Sequence, residues 1–90
     1  MSLTPKGKRA LRAKAHNLKP VVITGQAGIT EEVLTEIDNA LSYHELLKVR
    51  VNAEDRQARK EMVELICRRL EAELVLILGH VATLYRENPD

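Results

Sequence analysis

Helix-like and strand-like segments alternate along this chain, and their order limits the folds that it can adopt. Short β-branched or alternating runs predict strands, and apolar residues at helical spacing after a capping residue predict helices. The predicted helices cover residues 4–16, residues 30–44 and a segment that residues 52–55 open, and the predicted strands cover residues 21–24, 46–51, 73–78 and 82–86. The order is therefore αβαβαββ, within one compact domain over residues 3–87.

The connections between these elements predict the type of sheet. A strand–helix–strand crossover favours parallel neighbours, whereas two strands joined by a turn of two residues must be antiparallel. Gly79-His80 is such a turn between the last two strands. The sequence therefore predicts an α/β fold in which three helices pack on a mixed four-stranded sheet.

Composition describes a small soluble domain. The chain has 90 residues, of which 30% are charged and 44% hydrophobic, and the core must be aliphatic because Phe and Trp are absent. One cysteine, Cys67, cannot form an internal disulfide, and no apolar run approaches the length of a membrane span. We expect a monomer without a membrane partner. The compartment is the cytosol or the interior of an organelle, and we predict the cytoplasm.

The net charge of +1 conceals an uneven distribution. The first 20 residues contain six basic residues and no acidic one, whereas the rest of the chain contains eight basic and 13 acidic residues. A basic coat over the whole protein is therefore excluded, but a local electropositive face is expected on the first helix. The six basic residues are Lys6, Lys8, Arg9, Arg12, Lys14 and Lys19.

The segment KPVVITGQAGIT places two glycines between a predicted strand and a predicted helix. Gly25 and Gly28 are too close for a nucleotide-binding P-loop, Ile29 stands where that loop needs lysine, and a dinucleotide fingerprint needs a third glycine. Two interpretations remain open. The glycines permit a tight turn with positive φ at Gly25 or Gly28, or they let the backbone lie against a nucleic-acid strand.

Neither catalysis nor a cofactor is indicated. His16, His44 and His80 lie in separate predicted elements without a close set of ligands, so we expect no metal site. The acidic residues do not form a pattern that pairs them with a nucleophile. We therefore predict that the protein is not an enzyme and has no cofactor.

Several segments together resemble a known family. LKPVV at residues 18–22, the glycine loop at 25–28, HELLKV at 44–49 and LYR at 84–86 look like those of bacterial YhbY-type proteins, which are single-domain members of the CRM (chloroplast RNA splicing and ribosome maturation) group. The resemblance runs from about Leu3 to Arg86. It implies a fold similar to the C-terminal domain of translation initiation factor three, and binding to ribosomal RNA in precursors of the large ribosomal subunit.

The resemblance also implies which residues bind RNA. Carried over to this chain, they are Lys6, Lys8, Arg9, Arg12, Lys19, Gly25, Gln26, Ala27 and Gly28, with Lys48 and Arg50 as further candidates if no helix covers their face. Arg86 is a separate candidate, for which phosphate contact and a charge at the strand end are both open. Many family members have a basic residue between the glycines, but Gln26 and Ala27 carry no charge. We therefore expect the loop to set geometry and the first helix to supply the attraction for structured RNA.

An alternative function remains open. The second and third helices are rich in acidic residues, so the chain could instead be a protein-interaction module that binds a basic ribosomal protein or assembly factor. Ribosomal proteins are accordingly possible partners beside RNA. DNA is not expected as a partner.

Overall fold

A computed structural model describes residues 3–25 and 27–89 of the chain. Seven elements follow one another in the predicted order: α1 Pro5–Ala15, β1 Pro20–Ile23, α2 Glu31–His44, β2 Leu46–Arg50, α3 Arg56–Leu70, β3 Glu73–Leu78 and β4 Val81–Tyr85. The predicted fold class and element order are confirmed.

The four strands form one mixed sheet in the order β1-β2-β4-β3. β1 runs parallel to β2, while β4 pairs antiparallel with both β2 and β3. The prediction of a mixed sheet with a final antiparallel hairpin is therefore confirmed. The last strand of the chain, β4, lies between β2 and β3, so each of its edges is paired.

The helices start where the sequence predicts because each N-cap side chain accepts a hydrogen bond from a free backbone amide. Thr4 Oγ1 accepts from Gly7 N at 3.0 Å, and Thr30 Oγ1 accepts from Val33 N at 3.1 Å. Asp55 Oδ1 accepts from Ala58 N at 2.7 Å. These caps fix the starts of α1, α2 and α3.

Helices cover both faces of the sheet. α2 packs against β1 and β2, α3 packs against α2 and β3, and α1 packs against β2 and β3. The main core lies under α2 and α3 and contains Val22, Leu34, Ile37, Leu41, Leu47, Val49, Val51, Val63, Ile66, Ala82 and Leu84. Ala15 of α1 is buried outside this cluster, because α1 lies on the opposite face. Alternation along β2 and β4 directs Lys48 and Thr83 towards the α1 face.

Cys67 is half-buried on α3 and has no disulfide partner among residues 3–25 and 27–89. Burial, with a smaller effect from the negative charges of Glu73 and Glu64, raises the pKa of the thiol to about 11. At neutral pH the group is a protonated thiol, which is a poor nucleophile. Among the described helices, none is long and apolar enough to cross a membrane.

Candidate nucleic-acid interface

The basic side chains of α1 are accessible, with one exception. Lys6, Arg9 and Arg12 are exposed, and none of them pairs with a carboxylate among the residues that the structure describes. Lys8 is half-buried and therefore less accessible than the other three. It lies on the side of the helix that faces the sheet, in line with Leu11 and Ala15. The polar face is therefore narrower than the sequence predicts.

Two cavities show where α1 lies on the sheet. Leu3, just before the helix, lines one cavity with Glu73 and Tyr85, and Leu18, just after the helix, lines another with Leu46 and Tyr85. These partners stand where β2 and β3 begin and β4 ends. α1 therefore lies near the end of the sheet where β2 and β3 begin. The glycine loop follows β1 at the opposite end of the sheet.

The glycine loop is a tight turn at the end of β1. Gly28 N donates to Gly25 O at 3.1 Å, and Gly28 has a φ of 77°, in the left-handed region. Gly25 does not have a positive φ, and a Cβ built on it would meet nothing within 4 Å. Turn geometry therefore explains Gly28 but not Gly25. Ala27 is exposed, and the prediction for Gln26 lies outside the described residues.

This difference predicts unequal stability effects for the two glycines. Gly28→Ala is expected to lower the free energy of unfolding by about 1 kcal/mol, because a side chain in the left-handed region strains the backbone. Gly25→Ala is expected to change stability by less than about 0.5 kcal/mol, since the added methyl group meets open space. Urea unfolding of both variants followed by circular dichroism measures the difference. Equal losses would mean that the fold also requires Gly25.

Thr24 and Asn52 hold the loop against the sheet. Thr24 is fully buried, its N donates to Arg50 O at 3.0 Å, and its Oγ1 accepts from Asn52 N at 3.0 Å. Asn52 Nδ2 also donates to Thr24 O at 3.0 Å. β1 ends at Ile23, one residue earlier than predicted, and these bonds continue the link between the two segments beyond that strand. The sequence analysis missed both residues, although each follows one of two neighbouring parallel strands.

Lys48 and Arg50 lie on the α1 face of β2, between α1 and the glycine loop. Lys48 is half-buried beside α1, whereas Arg50 is exposed at the end of the strand. Alternate strand residues are separated by about 6.7 Å, so these two side chains extend from the helix towards the loop. Lys19 is exposed just before β1. The face that carries these cations is thus only partly covered by α1.

Arg50 stands in a row of residues that the sequence analysis missed. Ile23 pairs with Arg50, Arg50 pairs with Val81, and Val81 pairs with Leu78. Ile23 is 62% exposed and Leu78 is 72% exposed. The end of the sheet next to the glycine loop therefore presents an accessible apolar strip with one guanidinium in it.

Arg86 is used inside the protein. Its Nη1 donates to Asp38 Oδ1 at 2.7 Å and to Leu70 O at 3.0 Å, and its Nη2 donates to Asp38 O at 3.0 Å and to Ser42 Oγ at 2.9 Å. These bonds tie the segment after β4 to α2 and α3. The side chain of Arg86 is 19% exposed, so this geometry favours a structural role over phosphate contact.

Comparisons with known proteins agree with this architecture. The family model described as the CRS1 / YhbY (CRM) domain matches residues 3–86. An "RNA-binding protein" of Haemophilus influenzae is 43% identical over 89 residues, which cover 99% of this chain and 90% of that protein. A Pseudomonas aeruginosa protein named as a probable RNA-binding protein is 38% identical over 89 residues, or 99% of this chain and 86% of that one.

A solved structure is also similar. The solution structure of a hypothetical protein from Staphylococcus aureus, described as a candidate RNA binding protein, superposes with a TM-score of 0.87 and 38% sequence identity. The match covers 98% of this chain and 92% of that one. These relatives are named for RNA binding and not for an enzymatic activity.

Proposed function

Since the chain belongs to the CRS1 / YhbY (CRM) domain family, with residues 3–86 matching the family model, we propose that it is an RNA-binding protein without catalytic activity of its own. The observation that carries the proposal is the α1 face of the molecule. Accessible cations on α1, β2 and the segment before β1 lie on one face that ends at the glycine loop, where Gly25 has open space in the position of a side chain. RNA affinity usually rests on such phosphate contacts.

The placement of the cations suggests how RNA lies on the protein. α1 and the glycine loop are at opposite ends of β2, a distance of roughly 15 Å for a five-residue strand. Lys48 and Arg50 occupy the interval between them. One RNA segment therefore spans the sheet from Arg9 and Arg12 to Gly25, with its backbone held at both ends. Shape and phosphate recognition suit a chain that contains two tyrosines and neither Phe nor Trp.

We extend the proposal to ribosomal RNA in a precursor of the large ribosomal subunit, in the cytoplasm. The resemblance of the LKPVV, HELLKV and LYR segments to YhbY-type proteins supports this setting. Ribosomal proteins that flank the same RNA are further partners in the proposal.

The alternative of a protein-interaction module is less well supported by the helices that it would use. Asp38 of α2 is bound by Arg86 at 2.7 Å, and Glu31 of α2 is bound by Arg69 at 2.9 Å. A hydrogen bond to Glu31 and the negative charge of Glu31 raise the pKa of Arg69. Part of the acidic charge of α2 is thus neutralised within the protein.

A salt series tests the proposed function. The affinity for structured fragments of large-subunit ribosomal RNA is expected to fall steeply with salt, with a log–log slope of about −3 to −5 for four to six phosphate contacts. Fluorescence anisotropy with labelled RNA between low and physiological salt measures this slope. An affinity that is absent, or that does not change with salt, would contradict the proposal.

A further inference from the structure

A cleft between α3 and β3 lies outside the interface described above. It has a volume of about 430 Å³ and is lined by Arg56, Arg59, Lys60, Glu64, Leu74, Ile77 and Gly79. Its lining combines two chemistries. Three cations come from the first turns of α3, and two aliphatic side chains come from β3.

The charges distinguish this cleft from the cavity beside Arg86. That cavity is lined by several carboxylates, among them Asp38, Glu71 and Glu87, which would repel a phosphate. In the α3–β3 cleft, Glu64 is the only acidic residue among the described lining residues. The cleft therefore favours an anionic group that also carries an apolar part.

Arg59 lines the cleft with a guanidinium whose hydrogen-bonding groups are only partly used within the fold. Its Nη2 lies 3.1 Å from His80 Nδ1, which accepts the hydrogen bond in the neutral tautomer protonated on Nε2. Its Nε is buried and has no partner among the described residues. A buried donor without a partner is unusual in a native protein, so the guanidinium has hydrogen-bonding capacity that the fold does not use.

The lining of the cleft extends to the end of the molecule that carries the glycine loop. Gly79 belongs to the β3–β4 turn, and in that turn His80 O accepts from Val51 N at 2.7 Å. Val51 directly precedes Asn52, which holds Thr24 and hence the loop. The row that contains Arg50 continues through Val81 to Leu78 on β3, the edge strand about 10 Å away across two strand spacings. The cleft lies on the other face of that strand, so RNA that passes over Arg50 reaches it by turning around the β3 edge.

We propose that the cleft holds one unpaired nucleotide of the bound RNA, with its phosphate on Arg56, Arg59 and Lys60 and its base on Leu74 and Ile77. This inference rests on the proposed RNA binding and adds a local requirement to it. Proteins bind unpaired nucleotides by combining cations for the backbone with an apolar surface for the base. The bound RNA is therefore structured but contains a bulge or a loop nucleotide at this point.

The test compares two RNA hairpins that differ by one bulged nucleotide. Wild-type protein is expected to bind the bulged hairpin about tenfold more tightly than the paired one. Arg59→Gln combined with Lys60→Gln is expected to reduce that ratio to about one and to make the salt slope about 1 to 2 less steep. 4-Thiouridine at the bulge should crosslink to residues 74–79.

Arg68→Gln is the control for the loss of a cation from α3, because Arg68 is exposed on the same helix and does not line the cleft. It should leave the ratio unchanged. Salt-dependent binding without any preference for the bulge would overturn this inference and leave the proposed function standing. Absence of RNA binding would overturn both. If the double variant instead loses affinity for polyglutamate while its bulge ratio stays at the wild-type value, the cleft is a site for an acidic protein segment.

Discussion

Arg9→Glu combined with Arg12→Glu is expected to reduce the affinity for structured RNA about 100-fold or more at ~0.1 M salt, because two phosphate contacts become repulsive. Both side chains are exposed, and no described carboxylate pairs with either. The change therefore acts on binding and not on the fold. The salt slope should also become less steep by about 2, one unit for each lost contact. Anisotropy titrations over the salt series measure both quantities.

Two variants separate the causes. Arg9→Gln combined with Arg12→Gln removes attraction without adding repulsion, so it should weaken binding about tenfold and change the slope by the same amount. Arg68→Glu places one reversed charge on α3, away from α1, and should have a small effect. Wild-type affinity in the Arg9 and Arg12 reversal, with the helix intact by circular dichroism, would refute the role of α1.

Arg86→Met is expected to lower the free energy of unfolding by about 2 to 4 kcal/mol, with RNA affinity of the folded protein unchanged. The variant removes four hydrogen bonds and leaves the Asp38 carboxylate and the Leu70 carbonyl without this partner. For a domain of this size the loss corresponds to a fall in Tm of at least about 10 °C. Calorimetry and urea unfolding measure it.

Arg69→Met is the control for the loss of an ion pair as such. The Arg69 and Glu31 side chains are 49% and 77% exposed, so their salt bridge is expected to contribute less than about 1 kcal/mol. A stable Arg86→Met variant with weakened RNA binding would return Arg86 to the RNA surface. The sequence analysis left phosphate contact open for Arg86, and its hydrogen bonds argue against that role.

Local sequence signals predicted the elements and the type of sheet, but not how α2 and α3 end. Thr4 and Thr30 show the helix starts because a cap is a contact over three residues. α2 and α3 are instead followed by the C-cap residues Glu45 and Glu71, which have φ values of 64° and 55°. Glutamate gives no sign of such a conformation. At Glu45 the reason is distant, since its carbonyl accepts from Arg86 N and its carboxylate from Asn88 N.

The candidate site shows the same division. Lys8 was counted with the basic residues of the exposed face of α1. Its spacing from Leu11 and Ala15 instead indicates that it lies on the side facing the sheet. The partners of Arg86 lie 48, 44 and 16 positions away, and no local pattern identifies them. Likewise, Arg56, Arg59 and Lys60 look like an ordinary solvated helix face until β3 packs beside them.

The position of β4 between β2 and β3 has a consequence for synthesis on the ribosome. The last strand of the described chain is one of the two interior strands, so β2 has no antiparallel partner until β4 has left the exit tunnel. Before that, β1 and β2 can form only a two-stranded pair, which is marginal in water. The hairpin of β3 and β4 is local and forms quickly, but its docking closes a loop of more than 30 residues. The nascent chain therefore acquires its RNA-binding face in one late step.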